Sequence, residues 1–244
     1  MRKLLISILI IVSASLYAQV RLDKPEMYIG ANLGVTESMV LFNPSIPQGF
    51  LMGYNGGIVF RYIAEKNVGI QVELNFSQRG WTESTNNITS LNSLSNLPEN
   101  IRIDLLAKRK GFVIDINQQN STTIYSRQLN YIEIPFMTHI YIGKKNRFFF
   151  NIGPKISYLL LESVKTNDTK LTAAERSTVV QHPFDYGICT GLGFLVNIKG
   201  KIFQLDTRAN YSLSDVFANT KRDVFSTSNN FNLSVNLAWL LKVK

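Results

Sequence analysis

Long stretches in which apolar and polar residues alternate with a period of two limit this chain more than any other feature. In residues 70–77, Ile70, Val72, Leu74 and Phe76 fall on one side, and Gln71, Glu73, Asn75 and Ser77 on the other. Residues 203–211 repeat the pattern, with Phe203, Leu205 and Tyr211 against Gln204, Asp206, Arg208 and Asn210. In 231–239, Phe231, Leu233, Val235, Leu237 and Trp239 oppose Asn232, Ser234 and Asn236. A period of two is that of an extended strand, whose successive side chains point to opposite faces. Eight such runs can be traced: 30–35, 53–63, 68–82, 128–143, 147–162, 184–198, 201–216 and 230–243. Strands in soluble proteins have a modal length of about 5–6 residues. Most of these runs are much longer, enough to cross a bilayer at a tilt.

The connections alternate in length. Ala64 to Asn67, Lys144 to Asn146 and Lys199-Gly200 are short, whereas 36–50, 83–127, 163–183 and 217–229 are longer and polar. Tight turns at one end and long loops at the other mark an up-and-down barrel in a membrane. The expected fold is therefore all-β: an eight-stranded antiparallel up-and-down transmembrane β-barrel. An even strand count brings both termini to the short-turn end, expected to be periplasmic.

Residues 1–18 read as a secretory leader. Arg2 and Lys3 precede an apolar run from Leu4 to Val12, and small residues lead to Ala18, the expected cleavage point. The apolar run is too short to span a bilayer as a helix. The expected division is a signal peptide over 1–18 and a barrel domain over 19–244, with a long outer loop at 83–127. The formal charge is +9, or +7 without Arg2 and Lys3. In an exported chain this balance points to anionic lipid head groups, not nucleic acid. Cys189 is the only cysteine, so no intramolecular disulfide is possible and a cysteine metal site is not expected.

In lipid, the apolar face of each strand turns outward and the polar face inward. Parity then assigns Arg61, Glu73, Glu133, Lys155, Asp206 and Arg208 to the interior, three positive and three negative side chains. Gly30, Gly34, Gly57, Gly153, Gly187, Gly191 and Gly193 share that face. An eight-stranded barrel is just wide enough for side chains to fill it. The interior is therefore expected to be a plugged, charge-compensated structural network; the alternative is a narrow water-filled pore. Tyr28, Tyr54, Tyr62, Trp81, Tyr131, Tyr141, Phe148, Phe150, Tyr158, Tyr186, Tyr211 and Trp239 lie near strand ends and suit girdles at the membrane boundary. The same residues are also good strand formers.

Several segments carry a family resemblance. They are 68–80 (VGIQVELNFSQRG), 130–135 (NYIEIP), 151–160 (NIGPKISYLL), Asp185-Tyr186-Gly187 and Gly191-Leu192-Gly193-Phe194. In this order and spacing they resemble the PorT-like outer-membrane β-barrel family, with EIP on the fourth strand and GP on the fifth. The resemblance implies an eight-stranded barrel in a Gram-negative outer membrane. It implies an envelope component, with a secretion apparatus as one setting. The long 83–127 segment departs from the typical pattern.

No motif for chemistry emerges. No catalytic, cofactor-binding or metal residues are assigned, and no cofactor is expected. His139 shares the parity of Glu133 and is expected inside, satisfied. His182 has Ser177 and Asp185 nearby, without the spacing of a triad. Asn167 and Asp168 match no calcium loop. The segment 83–127, with Leu91, Leu94, Leu97, Leu105 and Leu106 and the basic run Lys108-Arg109-Lys110, is the candidate interaction surface for lipopolysaccharide or an envelope partner. The expected function is thus a non-enzymatic outer-membrane barrel with interacting loops. A small porin-like transporter and a lipid-modifying hydrolase are the alternatives.

Overall fold

The computed structural model describes residues 21–45, 48–65, 67–84, 124–143, 146–166, 180–217 and 226–243. Eight strands follow one another: β1 (Arg21–Asn43), β2 (Gly49–Glu65), β3 (Val68–Ser84), β4 (Ile124–Gly143), β5 (Asn146–Thr166), β6 (Phe184–Ile198), β7 (Lys201–Asp215) and β8 (Thr227–Lys242). Each pairs antiparallel with its sequence neighbour, and β8 closes on β1. Closure leaves no unpaired edge, the condition for strands to exist in hydrocarbon.

The pairing register fixes the shape. Following partners round the wall from Met27 leads through Tyr62, Ile70, Thr138, Ile152, Thr190, Ala209 and Leu233. It returns to β1 at Glu37, ten residues beyond Met27. With strands about 4.8 Å apart and a rise of about 3.3 Å per residue, this stagger sets a tilt of about 40° and a radius of about 8 Å. Each residue then climbs about 2.5 Å along the barrel axis.

The faces are inverted relative to a soluble protein. Outward apolar side chains such as Leu33, Ile58, Leu192 and Leu237 are exposed, whereas Asn32, Gln71, Asn75 and Asn236 are buried. From Phe148 and Phe203 at one end to Tyr158 and Leu213 at the other, the apolar belt is about 25 Å tall, the height of a lipid-facing band. Aromatics mark both rims: Phe148 against Phe194 and Phe203 against Trp239 on one, Tyr54 against Phe76 and Phe184 against Tyr186 on the other.

Four of the expected girdle residues lie elsewhere. Tyr28, Trp81, Tyr131 and Tyr141 are buried inside. The reason is parity: Trp81 follows Arg79 by two residues, Tyr131 precedes Glu133 by two, and Tyr141 follows His139 by two. Two further corrections concern length. β1 is far longer than 30–35, and the first long-end connection is only 44–48, because strand pairing continues through Thr36 to Asn43. Three hairpins are tight, at 66–67, 144–145 and Lys199-Gly200. Lys199 and Gly200 both have positive φ, 51° and 81°, as a two-residue hairpin with right-handed strand twist requires. The start of β1 and the end of β8 lie at this tight-turn end. Residues 1–20 and 85–123, with the leader and most of the 83–127 segment, lie outside the described residues.

An arginine on the belt tests the inversion. Ile152→Arg, near mid-height on the outer face, is expected to cost about 2–4 kcal/mol in lipid vesicles. Ile152→Leu should cost less than about 1.5 kcal/mol. Denaturant midpoints read by the gel-mobility shift of folded protein would show this; an unchanged midpoint for the arginine variant would place Ile152 away from lipid.

Candidate functional site

A wall-to-wall polar network fills the barrel interior. β3 and β7 face each other across the lumen, four strands apart in a ring of eight. Glu73 on β3 and Arg208 on β7 bridge that gap with two parallel bonds, Nη1 to Oε2 at 2.8 Å and Nη2 to Oε1 at 2.9 Å. Such bidentate charge-assisted pairs are among the strongest hydrogen bonds in proteins. Glu73 also accepts from Asn32 at 2.8 Å and Asn75 at 2.7 Å. Asp206 accepts from Arg208 Nε at 2.5 Å. Arg61 donates to the side-chain carbonyls of Gln71 and Gln204, and Gln71 donates on to Glu73.

A second cluster lies nearer the opposite mouth. Arg79 reaches Asp185 at 2.9 Å, Glu133 at 2.8 Å and Ser157 at 2.9 Å. Its guanidinium also sits 4.3 Å from the Tyr131 ring centre, a cation–π contact. Lys155 Nζ is 3.8 Å from Glu133. Ser212 and Ser214 donate to Asp185 at 3.0 and 2.6 Å. Arg127 pairs with Glu162 still closer to the mouth.

Apolar layers close the network at both ends. At the tight-turn end, Tyr28, Val59, Ile63, Tyr141, Phe149, Leu195, Ile202, Ala238 and Leu240 pack together. At the other, Val40, Phe42, Trp81, Leu129, Tyr131, Val216 and Phe217 do so. There Phe42, Trp81 and Phe217 form a ring triangle with centroids 5.8 to 6.3 Å apart. The aromatics expected on the rims thus form part of two plugs.

All six residues assigned inward by parity, Arg61, Glu73, Glu133, Lys155, Asp206 and Arg208, are buried. Four of them meet in the cluster around Glu73, Gln71 and Gln204, and Glu133 and Lys155 meet in the cluster around Arg79. Arg79 and Asp185 were not among them, although each follows the same alternation. Glu162 escapes parity altogether. Asn130 and Tyr131 pair with Leu161 and Leu159, so one extra residue bulges out at Leu160 and moves Glu162 inward.

His139 is buried and stacks on Phe149 at 4.9 Å, but neither ring nitrogen has a protein partner, contrary to the expectation of a satisfied residue. Asp185 is committed to Arg79 and two serines. His182 is exposed at the mouth. Among the described residues no group of His, Cys, Asp and Glu could hold a metal ion.

Residues 17–218 match the family model described as outer membrane protein beta-barrel domain. No curated protein matches the chain by sequence. Among solved structures it is similar to Ail, the attachment invasion locus protein of Yersinia pestis, at 10% identity and TM-score 0.39, covering 88% of this chain and 99% of that one. It is similar to Neisserial surface protein A at 10% identity and TM-score 0.41, covering 88% and 98%. It is similar to OprG from Pseudomonas aeruginosa at 6% identity and TM-score 0.41, covering 89% and 95%. With its closed eight-stranded wall and a family match over most of its length, the chain belongs to the outer membrane protein beta-barrel domain family.

Proposed function

We propose that this is a sealed, non-enzymatic outer-membrane barrel whose interior network is structural and whose long-loop end does the interacting. One observation carries the reading: the Glu73–Arg208 bridge joins opposite walls, between two apolar plugs. An aqueous path would have to break the bridge and empty both plugs. The leader over 1–18 delivers the 19–244 domain, both termini face the periplasm, and the 83–127 loop meets lipopolysaccharide or an envelope partner through Lys108, Arg109 and Lys110.

Within the family we assign a PorT-like relationship, and the geometry gives its two motifs a joint purpose. EIP on β4 pairs with the three residues that follow GP on β5, with Glu133 opposite Ser157 and Pro135 opposite Lys155. Glu133 supplies the partner for Arg79 and Lys155. A Cβ at Gly153 would lie 1.8 Å from the Phe136 carbonyl oxygen, so glycine lets β4 and β5 close up at this point. A place in a secretion apparatus is the setting such kinship suggests.

In planar bilayers the wild-type protein is expected to give no stepwise conductance, and steady single-channel steps would overturn the sealed reading. The network has its own test. Glu73→Gln should cost on the order of 3–5 kcal/mol, because it leaves Arg208 buried without its carboxylate partner. The double variant Glu73→Gln/Arg208→Gln should cost less than the two singles together. Additive losses in vesicle unfolding would mean that the pair is not coupled.

A further inference from the structure

The outer wall carries one charge that lipid does not explain. Glu37 on β1 is exposed and points outward, with Met52 and Leu233 as its neighbours on β2 and β8. It sits at about the height of the Tyr54 and Tyr211 rings, about 25 Å above Met27. Apolar groups continue past it, with Leu41 higher on the same strand and Phe50 higher on β2. Among the described residues Glu37 has no hydrogen-bond or ion-pair partner. It is the one charged side chain on the outer face within the span of the apolar belt, among the described residues. A carboxylate set among apolar groups is costly unless a cation meets it.

Below Glu37 the wall is hollow. A groove of about 630 Å³ runs across β5 to β2, rimmed by Phe150, Leu192, Leu233 and Met52. Its floor is made of small residues, Thr190, Gly191, Thr207 and Ala209. Both threonine hydroxyls turn onto neighbouring backbone carbonyls, Thr190 to Asn151 at 3.2 Å and Thr207 to Leu192 at 3.4 Å. Their methyl groups are left for the lipid side. The groove follows two adjacent rows of paired residues, one from Phe150 through Leu192, Thr207 and Val235 to Val35, the other from Thr190 through Ala209 and Leu233 to Glu37, so an apolar trough leads to a single negative charge at the boundary.

We infer that this groove binds one acyl chain of a lipid whose head group carries an ammonium, with Glu37 as the counter-charge. The belt of an outer-membrane barrel is covered by lipid, so a hydrocarbon tail fills the trough. Glu37 then selects by charge: an ammonium at the boundary satisfies it, and an uncharged or purely anionic head group does not.

The test uses the full-length protein in vesicles of equal phosphatidylethanolamine and phosphatidylglycerol with matched acyl chains. Lipid retained after detergent extraction is counted by native mass spectrometry. The wild-type protein should hold phosphatidylethanolamine with a preference of about fivefold. Glu37→Gln should bring the two lipids to parity without changing the total retained. Thr207→Leu/Ala209→Leu, which fills the trough, should lose both. No wild-type preference, or a preference that survives Glu37→Gln, would overturn the assignment. So would a two-chain species that dissociates in the filled-trough variant, because the groove would then be seating a second copy. If the filled variant gives no gel-mobility shift and so has not folded, the comparison of wild type with Glu37→Gln still decides.

Discussion

Eight strands staggered by ten residues make a wall of about 8 Å radius, and everything else in the molecule follows from that closure. The wall satisfies every interior strand's backbone with its neighbours, so the barrel can stand in hydrocarbon. The same radius brings opposite strands within reach of one another's side chains. Arg208 on β7 can touch Glu73 on β3 only because the lumen is this narrow. A wider barrel with the same residues would leave both charges to water.

The polar interior also determines which way the wall faces. Strand side chains alternate, so a slip of one residue would put a whole polar face into lipid and a whole apolar face into the lumen. Arg79 is held by Asp185 on β6 and Glu133 on β4 at once, a geometry that only one register provides. Buried ion pairs often contribute little net stability because of their desolvation. Here their stronger effect is to make every alternative register worse, since each would leave a guanidinium facing hydrocarbon. The apolar plugs complete the arrangement. Phe42, Trp81 and Phe217 at one end and Tyr141 and Phe149 at the other keep bulk water from competing for the ion pairs. Shielded from water, those pairs are worth more than they would be at a surface.

Much of this was legible in the sequence because the period of two is local. Residues 184–198 were bounded to the residue, and the inward placement of Arg61, Glu73, Glu133, Lys155, Asp206 and Arg208 needed only a count of odd and even positions. What parity cannot give is who meets whom. The Glu73–Arg208 bridge spans 135 residues of chain and depends on the stagger of all eight strands. Arg79 and Asp185 carried the same alternation but sat near strand ends, where the pattern blends into the connections. Glu162 could not be read at all, because the bulge at Leu160 reverses parity after it. The aromatic signal misled for a related reason: Trp81 and Tyr131 lie near strand ends as girdle residues do, but height along a strand says nothing about which face they take.

A barrel closed in this way has its interior fully used by its own fold. Most of the charges there are paired, as Glu73 with Arg208 and Arg79 with Glu133 and Asp185, and both ends are packed with apolar side chains. Activity must therefore be looked for on surfaces that folding does not consume. The short-turn end offers little, since its hairpins are at most a few residues long. The opposite end carries the long connections, and variation there leaves the wall untouched. The wall itself is nearly uniform in chemistry, which makes the exception informative. A carboxylate at Glu37, above a trough floored by Thr207 and Ala209, contributes nothing to closing the barrel or to pairing its strands. Where Glu73, Arg79, Glu133, Asp185 and Arg208 all find partners inside the barrel, an unmatched carboxylate turned toward lipid has to be understood through what lies outside the chain.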